Sequence, residues 1–361
     1  QEIATRCRAG EPSATAPRRG MRWPYRVDVT RIRRPDDADA PDLAELATAP
    51  GGAIPAAGLS PGGVRVPQPR ALIVTVYGLY ARDVGGWLSV ATLIRLMVEI
   101  GVDEPAVRSA ISRLKRRGMV EPVRRDSLAG YALSSAGREM LDEGDERIFH
   151  RQPASLDDGW LLAVFSVPES ERQRRHTLRS RLAWLGFGAA APGVWVAPAH
   201  LYPATQATLR RHQLDQYVNL FRADYLAFGD LSESIRQWWD LEELQRLYGE
   251  FSNTYRPVLR KWSSRELSDP EPAADSSPGA EPGPAPSGAP PSHAGWHGAE
   301  AFADWVRALT AWRRLPYLDP GLPAELLPAD WNGARAADLF HELQRRLSAP
   351  AWAYVRSVTS R

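Results

Sequence analysis

The sequence predicts an α+β chain with three folded parts, and changes of period carry that prediction. Apolar residues recur at helical spacing between residues 69 and 114, fall into strand-length runs between 160 and 228, and return to helical spacing, rich in tryptophan, after 230. Stretches of proline and glycine without any period precede the first part and interrupt the last. At 361 residues the chain has room for two or three cores.

Composition alone selects no partner. The 45 basic and 43 acidic residues nearly cancel, so the placement of charge matters more than its sum. Only Lys115 and Lys261 are lysine, and abundant alanine, proline and glycine mark a compositional bias that accounts for part of the arginine. One cysteine, Cys7, excludes an internal disulfide and fits a reducing cytoplasm. No apolar run approaches the roughly 20 residues that cross a bilayer, and the first residues lack a signal-peptide core, so a soluble cytoplasmic protein without a membrane partner is expected.

Residues 1–66 read as a disordered tail; Met21 is a candidate translation start, and the basic patch Arg26–Arg34 reads as solvated. Residues 67–150 form the first domain. Leu72, Ile73, Val76, Leu79 and Tyr80 predict a helix that breaks at Gly85-Gly86. Ser89 caps a second helix with Ala91, Ile94, Leu96, Met97 and Ile100 inward, and Gly101 ends it.

Asp103 then caps a third helix, with Glu104 and Pro105 in its first turn and Gly118 as its stop. Val107, Ala110, Ile111 and Leu114 share one stripe of it; Arg108, Ser109, Ser112, Arg113 and Arg116 share the other. A strand from Met119 to Val123, Arg124-Arg125, a turn through Asp126 to Gly130 and a strand at Tyr131 to Leu133 follow. Ser134 caps a closing helix from about Ala136 to His150. Basic helix faces are usually only solvated, yet between Arg108 and Arg125 there are seven basic residues against one acid, Glu121, and a hairpin follows at once. That combination predicts a winged helix-turn-helix, with the five helix residues in a major groove of double-stranded DNA and Arg124 and Arg125 on the wing.

Residues 151–229 show the order β-α-β-β-α-β, which predicts a ferredoxin-like domain. Its elements are Trp160 to Val167, Glu169 to Leu185, two strands from Phe187 to Pro198 turning at Pro192-Gly193, Pro203 to Gln213, and one or two strands within Tyr217 to Phe228. Residues 230–361 predict a helical carboxy-terminal domain with a flexible insertion at 263–298, helices resuming at Glu300 to Arg314 and Gly333 to Leu347, and a stiff connector, LDPGLPAELLPADW, between them.

RALIVTVYGLY, AVRSAISRLKRRGMV, WLLAVFSVPESERQRRHTLRSRLAWLGFG with APGVWVAP, and YLDPGLPAELLPADWNG together resemble the PaaX family of bacterial transcriptional repressors of aromatic-acid catabolism, phenylacetate above all. The likeness covers about 67 to 262 and 299 to 355, in the family's order. It implies a winged helix, a central ferredoxin-like domain used in dimerisation, and a helical domain, with an aryl-acetyl thioester of coenzyme A as the inducer that releases operator DNA. The tail and the insertion stand outside the family pattern, and nothing is carried onto either.

Catalytic chemistry is not expected. A related nuclease-like fold holds a metal through an aspartate at the end of its first strand, whereas this strand ends Phe165-Ser166-Val167-Pro168. His293 and His297 are spaced like metal ligands but stand beside proline and glycine without a third ligand, so they read as solvated, and neither metal nor cofactor is expected. No nucleophile motif or phosphate loop occurs. The expectation is therefore a ligand-responsive repressor acting as a homodimer; the alternative is an acyl-CoA-binding or acyl-handling enzyme that has kept a DNA-binding module. An acyl-CoA site needs a cationic rim and an aromatic interior. Arg174, Arg175, Arg179, Arg181, Arg313 and Arg314 are candidates for the first; Trp195, Trp312, Tyr317 and Trp331 for the second, although residue by residue a solvated arginine or a core aromatic is the plainer reading.

Overall fold

The computed structural model describes residues 68–150, 154–226, 228–266 and 293–360. The expected tail at 1–66 lies outside them. The architecture is mixed α and β with a helical carboxy-terminal part.

Helix α1 (Pro69–Val76) starts on a proline, which its φ suits, and runs into a π-helical turn, Tyr77–Ala81. The Gly85-Gly86 break follows, both residues having positive φ. Next comes a strand that the sequence did not betray, β1 (Trp87–Ser89), since three residues are too few to show a period. Helix α2 (Val90–Glu99) begins where the Ser89 hydroxyl accepts the Thr92 amide, and α3 (Glu104–Arg116) where the Asp103 carboxylate accepts the Ala106 amide. Strands β2 (Val120–Arg125) and β3 (Leu128–Leu133) are longer than expected and joined by Asp126-Ser127 alone. Both turn residues have positive φ, the geometry of a tight two-residue hairpin loop that usually takes glycine or asparagine, and glycine's absence hid it. The sheet order is β1-β3-β2, all antiparallel. Helix α4 (Ser135–Phe149) starts on the Ser134 cap, whose hydroxyl also reaches back to the Gly118 carbonyl.

The central segment comprises β4 (Trp160–Phe165), α5 (Arg172–Leu185), β5 (Gly188–Ala191), β6 (Val194–Pro198), α6 (Tyr202–Arg211) and β7 (Val218–Ala223). They build an antiparallel sheet of order β5-β6-β4-β7, with the first strand between the third and the fourth. Both faces of this sheet are covered, which is why β4 reads as an unbroken apolar run instead of an alternating one. Leu161 and Ala163 pack with Leu178 and Leu182 of α5 and Leu209 of α6. Trp160 and Val196 pack on the other side with Ile235 and Trp239.

Helices α7 (Leu231–Trp238), α8 (Leu241–Glu266), α9 (His293–Trp312), α10 (Leu315–Leu318) and α11 (Asn332–Thr359) complete the chain. The insertion expected at 263–298 is shorter, because its first and last residues belong to α8 and α9; 267–292 lies outside the described residues. His293 and His297 accordingly stand on a helix, and no group of three or more potential metal ligands occurs among the described residues. Helix α11 continues through Pro350 to Thr359, well past the expected end. The missing amide costs one backbone bond, but Ala351, Val355 and Val358 beyond it are buried and hold the helix in place. No described helix is long and apolar enough to cross a membrane.

The main core ignores the division into a first and a last domain. One cluster takes in Leu72, Ile73, Tyr77, Leu96, Ile111 and Leu114 from the first helices together with Phe251, Phe302, Trp305, Phe340 and Val355. Polar contacts cross the same boundary: Thr75 and Thr310 hydroxyls meet at 2.7 Å, and Arg307 donates to the Ile100 carbonyl at 2.7 Å. Phe340, fully buried, lies parallel to Trp312 at 4.7 Å between centroids and stacks on Trp305 at 5.5 Å. Truncating it to alanine should cost about 3–5 kcal/mol. Because the core is shared, denaturation of Phe340→Ala should shift the first helices and the carboxy-terminal helices together; two transitions separated by region, seen by hydrogen exchange, would contradict this.

Candidate nucleic-acid interface

Helix α3 is amphipathic in the way its sequence requires. Val107, Ala110, Ile111 and Leu114 are buried, while Arg108, Ser109, Ser112, Arg113 and Arg116 are exposed. Arg108 pairs with Glu104 at 2.7 Å one turn back, and Arg113 donates to the Ser109 hydroxyl at 2.9 Å. These are exposed partners that a ligand can displace at little cost, since surface pairs of this kind are worth about 0–1 kcal/mol. Lys115 is exposed beside Arg116 and adds a cation to this end of the helix.

The hairpin gives its two arginines different work. Arg124 donates to the Ser127 carbonyl at 3.1 Å and so braces the turn. Arg125 lies 5.4 Å above the Trp87 ring and donates to the Gly85 carbonyl at 3.2 Å, while the Trp87 indole donates to the Val123 carbonyl at 3.0 Å. Trp87 is therefore the platform on which the hairpin stands. Its role was missed because β1 itself was missed.

The ten residues expected to form an effector site are not brought together. Trp195 is buried in the central core and Trp312 in the main one, so the two do not share one aromatic lining. Trp331 meets Tyr248 edge-on at 5.7 Å. Arg174 pairs with Glu171 at 3.3 Å, and Arg175 pairs with Glu169 at 2.8 Å and donates to the Val167 carbonyl at 2.7 Å. Both thus tie the start of α5 to its own approach. Arg179 is half-buried on α5, and Arg181 is buried there. Tyr317 does sit where the central and last parts meet, whereas Arg313, with Arg314 nearby, is buried against α1 and donates to the Ala71 carbonyl at 3.2 Å. Tyr317 stacks on Trp184 of α5 at 5.2 Å, and Arg147 of α4 caps both rings, 4.9 Å from the centroid of Tyr317 and 5.4 Å from that of Trp184.

Three models of one family match the chain in order: "PaaX-like protein" over residues 68–137, "PaaX protein central Cas2-like domain" over 153–235, and "PaaX-like protein C-terminal domain" over 291–357. The chain belongs to the PaaX family. The "Transcriptional repressor PaaX" of Escherichia coli (strain K12) is 27% identical over 293 residues, 79% of this chain and 82% of that protein. Among solved structures, "Uncharacterized protein Rv0674 from Mycobacterium tuberculosis" covers 78% of this chain and all of its own, at 23% identity and a TM-score of 0.47.

In this PaaX-family chain the first matched segment ends at residue 137, on a glycine that packs against backbone at the foot of α4. A second close approach decides the hairpin. A Cβ on Gly130 would fall 2.4 Å from the Trp87 ring and 2.5 Å from the Leu88 carbonyl, so β1 and β3 can lie together only with glycine there. Gly130→Ala should cost about 1–3 kcal/mol through overpacking and loosen Arg125 from Trp87. A thermal melt equal to that of the parent would show that the strands can part without penalty.

Proposed function

We propose that this chain is a transcriptional repressor that binds double-stranded operator DNA as a homodimer and is released by a small-molecule effector, an aryl- or acyl-CoA thioester of an aromatic-acid or acyl-CoA catabolic operon. The observation that carries the reading is the α3 surface. Arg108, Ser109, Ser112, Arg113 and Arg116 are exposed along it, four apolar side chains anchor its back, and a turn at Gly118 leads into a hairpin carrying two more arginines. Residues 67–150 then work as a winged helix-turn-helix, with α2 and α3 as the helix pair and β2-β3 as the wing. The E. coli relative, named as a repressor, supports this and supports a regulator instead of an enzyme. Residues 151–229 work as a ferredoxin-like dimerisation domain, since β4-α5-β5-β6-α6-β7 has that order and sheet arrangement. Residues 230–361 are the helical, effector-associated part.

Arg113→Ala should weaken operator binding by about 1–3 kcal/mol and relax preference at one base pair. Arg124→Ala should weaken binding to every sequence alike and flatten its salt dependence by about one unit. Fluorescence anisotropy at several salt concentrations separates the two effects, and an unchanged Arg113→Ala affinity would remove α3 from the groove.

Dimerisation through the central segment has support in β7, an outer strand of its sheet with Phe221 half-exposed and Leu226 exposed just beyond. At the other edge β5 lies against α7 and Trp239, leaving β7 as the strand open to a second copy. Light scattering of Phe221→Glu should give a monomer where the parent gives a dimer, and a parent that is monomeric at micromolar concentration would end the dimer reading.

A further inference from the structure

Only Ile100, Gly101, Val102 and Asp103 separate α2 from α3, and the last of them is already the α3 cap. Helix α2 closes with a Schellman motif. The Gly101 amide donates to the Val98 carbonyl at 2.8 Å, and the Val102 amide to the Met97 carbonyl at 3.0 Å. Gly101 has the positive φ, 82°, that this motif requires. The motif serves those two carbonyls and leaves that of Ile100, at the negative end of the α2 dipole, open to a cation. Arg307 of α9 takes it. Its guanidinium donates there at 2.7 Å and lies 3.8 Å from where a Cβ on Gly101 would stand.

Arg307 is itself anchored. Its own carbonyl accepts the Tyr255 hydroxyl of α8 at 3.0 Å. One turn earlier on α9, Asp304 accepts the Trp262 indole of α8 at 2.9 Å and is paired with Lys261. The Asp304 carboxylate, 13% exposed, lies 4.0 Å from the Arg307 guanidinium. A polar path thus runs from α8 through α9 to the turn that launches α3. The geometry of that turn bears on sequence reading in particular. Hydrogen bonds to base edges depend on distance and angle, whereas contacts to phosphates position a protein without selecting a sequence. A loosened turn that lets α3 tilt therefore costs the preferred sequence more than it costs any other.

We propose that Arg307 is a positioning residue for DNA recognition, capping α2 from the carboxy-terminal helices and so fixing the turn that aims α3. It deepens the repressor reading and rests on α3 being the helix that reads DNA. It adds a polar link through which the carboxy-terminal part acts on that helix. An effector that favours an arrangement with α9 withdrawn from α2 removes the cap, and DNA affinity changes by the ratio of its affinities for the two arrangements.

The test uses the full chain and two duplexes: the one the parent selects from a random pool, and a scrambled duplex of the same length and composition. Arg307→Met keeps the hydrocarbon stem and removes the donor and the charge. By fluorescence anisotropy its affinity for the selected duplex should fall about tenfold, the size of one charge-assisted hydrogen bond, while the scrambled duplex changes by less than about twofold. The salt dependence should stay at the parent's slope, because no phosphate contact is lost. Arg307→Lys, which keeps a cationic donor, should restore most of the preference. Hydrogen exchange in Arg307→Met should quicken over residues 100–106 and stay at the parent's rate over the central sheet. A fall on both duplexes alike with a flatter salt slope would make Arg307 a phosphate contact and overturn the proposal, as would a preference equal to the parent's. A parent that selects no sequence from the pool would sink the DNA reading and this assignment together. A parent that selects one, beside an Arg307→Met variant just as selective, would sink the assignment alone.

Discussion

An amphipathic helix of thirteen residues cannot hold its own shape in water, and α3 depends on what its apolar stripe is pressed against. That support is α1, which lies against α9, together with α2, which lies against both α9 and α11. Each buried Leu, Ile or Phe along this path contributes about 1.5–3 kcal/mol, so the basic surface stands on a stack whose far side belongs to the carboxy-terminal helices. Two segments more than two hundred residues apart in the chain are thereby one body. Isolating residues 67–150 would strip water-averse surface bare on α1 and α2.

Much of this was legible in the amino acids. The three caps, Ser89, Asp103 and Ser134, announce themselves because a short polar side chain before a periodic apolar run has few other uses. The buried and exposed faces of α3 follow from spacing alone. The β-α-β-β-α-β order of the central segment was visible because β4 is an unbroken apolar run of strand length and α5 carries many arginines.

What escaped has physical reasons. A three-residue strand shows no period, so β1 and the platform Trp87 were invisible. The two-residue hairpin loop lacks the glycine that normally betrays one. The long reach of α11 was masked by Pro350, where packing outweighs a lost backbone bond. Trp195 and Trp312 meet another limit: a tryptophan looks the same in sequence whether it lines a pocket or fills a core, and only the separation of the two cores tells these two apart.

The Thr75–Thr310 contact has a mechanical meaning. Thr75 also reaches the Ala71 carbonyl and Thr310 the Val306 carbonyl, so two hydroxyl protons serve three close contacts. Sliding α9 by one helical turn, about 5.4 Å, would lose the contact between the hydroxyls and leave each with only the carbonyl of its own helix. Rotating the helices about that point would keep it. The pair therefore acts as a registration mark, setting how far α9 stands along α1.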